Sequence, residues 1–135
     1  MSSVRSTTFN RNEPKFQKAV KDFGHVSAAK VLSDIDDFEF DWRHGMEDDQ
    51  LRASYKFKEP HYEHRPYYRL FQIRVGPNRR NLSYRAIMMF YDKQLRAHWV
   101  HAFKKENDNE PQEILLAVMR ADECWHKITK TRRTQ

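Results

Sequence analysis

Cysteine occurs once in the 135 residues, at Cys124, so no disulfide can form within the chain and nothing points to an oxidising compartment. Long apolar runs are also missing. The longest are strand-sized and the N-terminus carries no apolar signal core, so neither a membrane span nor an export signal is expected and a cytoplasmic protein follows. Glycine is scarce, at 3 residues, and no Gly/Ser linker or internal repeat divides the chain. One domain over 1–135 is expected, with a flexible N-terminal stretch at 1–12 and a basic C-terminal tail at 129–135. Metal-ligand patterns are lacking too. His61 and His64, and again His98 and His101, are three apart, a spacing that in a strand sends them to opposite faces, and no Cys or carboxylate cluster completes a set. Neither a metal nor a small-molecule cofactor is therefore expected, and Cys124 has no evident base partner to make it a nucleophile.

What is abundant is positive charge and aromatic surface. The 25 Lys and Arg against 19 Asp and Glu give a net charge of +6 and a pI near 9.5. That balance favours a polyanionic partner, either nucleic acid or an acidic protein, and does not choose between them. A 39% hydrophobic content is enough for a single core at this length.

Periodicity outlines the elements. Phe16, Ala19, Val20 and Phe23 mark one face of a helix near 13–23, with Pro14 in its first turn and Gly24 as its stop. Val26, Ala29, Val31, Leu32 and Ile35 suggest a second helix that begins near His25 or Ser27, giving a helical hairpin. From Asp34 to Glu63 acidic and aromatic residues mix. Within it, Phe38, Phe40 and Trp42 alternate with Glu39 and Asp41, which fits a half-buried strand or a packed loop. Three strands follow near 67–75, 83–91 and 95–103, with turns at Gly76-Pro77-Asn78 and Asp92-Lys93, making an antiparallel meander. Asn107 to Pro111 offers caps for a final helix whose stripe is Ile114, Leu115, Val118 and Met119, then Ala121 and Trp125, through to Lys127. The fold class expected is α+β: an N-terminal helical hairpin, an antiparallel sheet and a C-terminal helix.

Residues two apart share a strand face, so Gln72 and Arg74 point together, opposite Phe71, Ile73 and Val75. Arg85 lies with Ile87, Met89 and Tyr91, opposite Tyr84, Ala86, Met88 and Phe90. Strict alternation puts Trp99, His101, Phe103 and Lys105 in one row. Arg74, Arg85 and Lys105 therefore converge on one surface if the register allows it. The plain alternative for the arginines is a solvated face or an ion pair with Glu47-Asp48-Asp49. Tyr67, Tyr68, Tyr84, Trp99 and Phe103 are candidates for base stacking, although most such residues belong to a core. His101, beside Trp99 and Phe103, reads as a packed or hydrogen-bonded structural histidine.

The tract Leu70-Phe71-Gln72-Ile73-Arg74-Val75, then Tyr84-Arg85-Ala86-Ile87, His101-Ala102-Phe103-Lys104-Lys105 and Pro111-Gln112-Glu113-Ile114-Leu115-Leu116-Ala117, resembles the RelE/ParE toxin superfamily. The likeness is greatest to its phage-derived, HigB-like branch and covers the C-terminal half, not the first 60 or so residues. It implies the toxin of a type II toxin-antitoxin pair: a metal-independent mRNA endoribonuclease (mRNA interferase), typically working in the A site of the 30S ribosomal subunit and held by a cognate antitoxin. The implied chemistry is attack of a ribose 2′-hydroxyl on the adjacent phosphate, which leaves a 2′,3′-cyclic phosphate. Fixed guanidinium and ammonium charges stabilise the developing negative charge. By motif, Arg85 carries over as the transition-state cation, Arg74 as a substrate-phosphate ligand with Gln72 and Tyr84 beside it, and Lys104 or Lys105 as the cation after the last strand. The spacing after Phe103 is one residue shorter than is common in the family, so both lysines stay open. His126 is the general acid or base candidate. Two other functions fit the same residues: a ParE-like inhibitor of DNA gyrase that acts through protein contacts, and a noncatalytic RNA-binding phage accessory domain.

Overall fold

A computed structural model describes residues 4–77 and 84–134, with side chains described through Thr131, so Asn78 and Ser83 of the expected second turn and strand lie outside the described residues. Among the described residues the architecture is α+β, with four helices and a four-stranded mixed sheet.

The N-terminal stretch, expected to be frayed, instead supplies an edge strand, β1 (Thr8–Asn10). Thr7 anchors it: its hydroxyl donates to the Gln94 carbonyl at 2.7 Å and accepts from the Trp42 indole N–H at 2.7 Å. Helix α1 (Pro14–Lys21) buries Phe16 and Val20, and Gly24, at φ 96, turns the chain into α2. Helix α2 (His25–Arg43) runs much further than its apolar spacing up to Ile35 suggests. The Phe38 to Trp42 alternation is neither strand nor loop. It is helix: Val31, Ile35, Phe38 and Trp42 recur at helical spacing and are buried, while Phe40 is 58% exposed. Glu39 mimics an apolar position because its carboxylate is spoken for inside, accepting from the Trp99 indole at 2.8 Å and from Arg11 Nε at 3.1 Å. A short helix not expected from the sequence, α3 (Asp48–Tyr55), starts where the Glu47 backbone N–H donates to Gln50 and buries Leu51 and Tyr55.

Strands β2 (Arg69–Val75), β3 (Tyr84–Tyr91) and β4 (Arg96–Lys104) form the expected antiparallel meander, and β1 adds a parallel strand on the far side of β4, giving the order β1-β4-β3-β2. At the end of β2, Gly76 has φ 114, and a Cβ there would fall 2.5 Å from Tyr84 Cδ2. Its N–H donates to the buried Asp34 carboxylate at 2.9 Å. The turn after β3 is longer than the two residues expected, with Asp92, Lys93 and Gln94 all in the left-handed region.

One face of the sheet (Phe71, Ile73, Val75, Ala86, Met88, Phe90, Ala97, Trp99) packs under α1, α2 and α3. The other face carries Leu70, Ile87, Met89, Val100 and Phe103 against α4 (Glu110–Thr134). Strict alternation fails in β4. An irregularity at Ile87/Met88 pairs Ile87 with His101 but Met88 with Trp99, so Val100 is an extra residue. Trp99 therefore lies on the face opposite His101 and Phe103, and His98 and His101 share the α4 side despite their odd spacing. Helix α4 also continues through the basic segment read as a tail, as far as Thr134. Among the described residues, no helix is long and apolar enough to cross a membrane.

Candidate nucleic-acid interface

Helix α4 covers only part of its sheet face. Near its first turn, the ends of β2 and β4 and the start of β3 carry a polar cluster. Arg74 and Arg85 are direct register partners, and Arg85 also stands opposite Phe103 on β4. The Arg85 residue is 7% exposed. Burial lowers its pKa, the Arg74 charge lowers it further, and Glu110 opposes both. One Arg85 N–H donates to the Tyr84 carbonyl at 3.1 Å.

Glu110 is the hub. Its Oε1 accepts from Gln72 Nε2 at 3.2 Å and lies 3.5 Å from Lys58 Nζ, while Oε2 lies 3.6 Å from Lys105 Nζ. Burial alone would raise this carboxyl, but the Gln72 amide and the Lys58 and Lys105 charges outweigh it and hold Glu110 below its ordinary range. The helix start that places Glu110 is set by Asn109, whose side chain accepts from the Glu106 N–H at 2.9 Å and donates to the Lys104 carbonyl at 2.9 Å. Lys58 arrives through an isolated bridge to Gln72, closed by backbone bonds of 3.1 and 2.8 Å. Among the described residues, Arg74 Nε and Gln72 Oε1 are buried without a hydrogen-bond partner. Buried polar atoms are nearly always paired, so a donor and an acceptor left over in one groove fit a place where a polar ligand docks.

Of the residues selected from sequence, Gln72, Arg74, Arg85 and Lys105 come together here. Lys104 does not: it pairs with Tyr84 in register, shares that residue's side of the sheet, and its ammonium lies 3.7 Å from Glu106. Tyr84 is likewise outside the groove, packed edge-on to Phe23 at 4.8 Å and bonded to Ser27. His126 is separated more decisively. It is exposed on α4, and at roughly 1.5 Å of rise per residue about 24 Å of helix lies between it and Glu110. It belongs with Asp122, whose carboxylate takes Arg65 and Tyr68. Nor do the arginines pair with the acidic segment: Asp48 faces Arg5 and Asp49 faces Arg52. Among the stacking candidates, Tyr68, Trp99 and Phe103 are buried, Tyr84 is partly so, and Tyr67 stacks on Trp125 at 4.9 Å.

Lys58 and Glu110 are the groove residues that sequence reasoning missed. Lys58 sits in an irregular segment where no periodicity assigns a direction, and Glu110 reads as an ordinary acidic residue in a first helical turn.

What the geometry defines is a class: an α+β protein whose mixed sheet carries a largely buried cluster of cations organised around one carboxylate, with Lys58 and Glu110 lining a cavity at its edge. The chain matches no protein-family model, no curated protein and no solved structure.

Proposed function

We propose that the chain is a metal-independent endoribonuclease of the toxin type, acting on mRNA and controlled by an antitoxin. The observation that carries this reading is the direct pairing of Arg74 with Arg85 beside Lys58 and Lys105. Two like charges placed opposite each other disfavour the fold, and such an arrangement is retained where an anion is to be bound. The motif resemblance supplies the reaction. Arg85, largely removed from water, acts more strongly on a nearby phosphate than an exposed guanidinium does. Arg74 and Lys58 hold the scissile phosphate.

The 2′-oxygen bonds to phosphorus as the bond to the 5′-oxygen breaks. Glu110, kept ionised by its neighbours, takes the 2′-hydroxyl proton, replacing His126 in that role, while Lys105 gives a proton to the departing 5′-oxygen, leaving a 5′-hydroxyl, and regains one from Glu110. An antitoxin segment of acidic character laid over the groove would switch the enzyme off, and the 30S A site is where such a groove would meet mRNA.

The test is induced expression of the wild type and of Arg85→Ala, with growth followed and RNA 5′ ends mapped. Wild-type arrest with new 5′-hydroxyl ends inside translated messages, and loss of cleavage by about 100-fold or more in a folded Arg85→Ala, is the expected result. Arrest without new ends would refute the nuclease and direct attention to a protein target such as gyrase. The absence of arrest would favour a binding domain.

A further inference from the structure

Glu13, His98 and Cys124 are remote in sequence, yet the fold brings one ligand atom from each within 4.8 Å of the others. The carboxylate comes from the residue preceding α1, the imidazole from β4, and the thiol from the sheet-facing side of α4. Each is already committed to this spot. Cys124 is fully buried, with its sulfur within 4.8 Å of a Glu13 carboxylate oxygen. The His98 ring is oriented by the Tyr91 hydroxyl, 3.0 Å from Nε2, and its Nδ1 is buried with no hydrogen-bond partner among the described residues. A partner on the far ring nitrogen is what a metal-bound imidazole ordinarily has, because it fixes the tautomer that leaves the other lone pair free.

We propose that Glu13, His98 and Cys124 form a site for a zinc-class divalent cation that clamps the start of α1, β4 and the second half of α4 together. One sulfur, one imidazole nitrogen and one carboxylate oxygen suit a borderline-soft ion that accepts tetrahedral geometry, with water in the fourth position. Magnesium and calcium prefer oxygen ligands throughout. A cation that takes the Cys124 sulfur displaces the thiol proton to solvent. Lys127 lies 3.5 Å from Glu13 Oε2, and a carboxylate has enough lone pairs to serve both cations. The site is remote from the basic groove. His98 is five residues along β4 from Phe103, the partner of Arg85, which is roughly 15 Å of strand. The clamp is therefore structural and stands whether or not the chain cleaves RNA.

The full chain, freed of metal by chelation, is titrated with Zn²⁺ by calorimetry and with Co²⁺ by absorption, with Mg²⁺ as the control. One Zn²⁺ per chain, a thiolate-to-cobalt charge-transfer band, an affinity at least about tenfold weaker in Glu13→Gln, and a thermal midpoint raised by Zn²⁺ in the wild type but not in His98→Gln are expected. Loss of the band in Cys124→Ser assigns the sulfur. A wild-type cobalt spectrum without that band, or Zn²⁺ binding unchanged in Glu13→Gln, overturns the proposal. Both readouts remain decisive if Cys124→Ser fails to fold.

Discussion

Arginines facing each other across a ladder work against folding, because like charges in direct opposition repel. Arg74 and Arg85 hold that position, and the carboxylate that tempers them, Glu110, is shared with two lysines. At this scale the two lysines after Phe103 part company. Lys105 reaches Glu110, whereas Lys104 turns toward Glu106 on the Tyr84 side. Lys105→Ala is thus expected to weaken RNA binding about tenfold and to lower the salt slope by about 0.7, the value of one phosphate contact on a single strand. Lys104→Ala should change affinity by less than about twofold. Binding to a short single-stranded RNA across a salt series measures both, and equal losses in the two variants would remove Lys105 from the groove.

Strand β1 shows how an element can escape notice in a sequence. It is 3 residues long, has no clear alternation and lies in a polar stretch, so its pairing with β4 is visible only in the fold. Beside its ladder with β4 and the Phe9 ring packed on Trp99, one hydroxyl anchors its start, that of Thr7, bridging the Trp42 indole and the Gln94 carbonyl. Thr7→Val keeps the shape but strands a buried donor and an acceptor, and it should cost about 1–3 kcal/mol in a urea titration. An unchanged midpoint would mean that the N-terminal segment is not docked through this contact. The same contrast runs through the other elements. The meander strands were legible because period-two patterning is local, and the faces assigned to Gln72, Arg74 and Arg85 agree with the register. The second half of α2 was not legible, because Glu39 occupies an inward position that only its distant partners, Trp99 and Arg11, make tolerable. The extra residue in β4 was hidden for a related reason: nothing in Trp99-Val100-His101 distinguishes a bulge from regular alternation, yet it moves Trp99 to the other core. Of the candidate site, the cations on strands could be read from the sequence. Their organiser, Glu110, and Lys58 could not, since Lys58 lies in an irregular segment and Glu110 looks like any acidic residue in a first helical turn.

Taken as a whole, the molecule is a sheet with a core on each face, and the α4 core contains a buried charged network whose response to pH can be worked out. His101 is 3% exposed and bonded on both ring nitrogens: Nε2 to Glu113 at 2.9 Å and Nδ1 to Arg120 at 2.5 Å. Since Arg120 can only donate, Nδ1 must accept, and the ring is neutral with its hydrogen on Nε2 pointing at Glu113. Lys15 and Lys18 of α1, and Asp22 just after it, line the same cavity between α1 and α4. Burial lowers the His101 pKa from 6.5, the Glu113 bond resists, and the Arg120 charge lowers it again. The unfolded chain therefore binds this proton more readily than the folded one. The stability from the neutral ring is fully present above the unfolded pKa near 6.5 and is lost as pH falls through the lower folded value. The loss approaches about 1.4 kcal/mol per pH unit for the one proton. Urea midpoints taken from about pH 8 to about pH 5 should fall in the wild type and fall less steeply in His101→Gln, which cannot take up the proton. Parallel curves for the two proteins would place the acid sensitivity elsewhere. A curve that rises on acidification would mean that His101 is held protonated by Glu113, with Arg120 turned away from the ring.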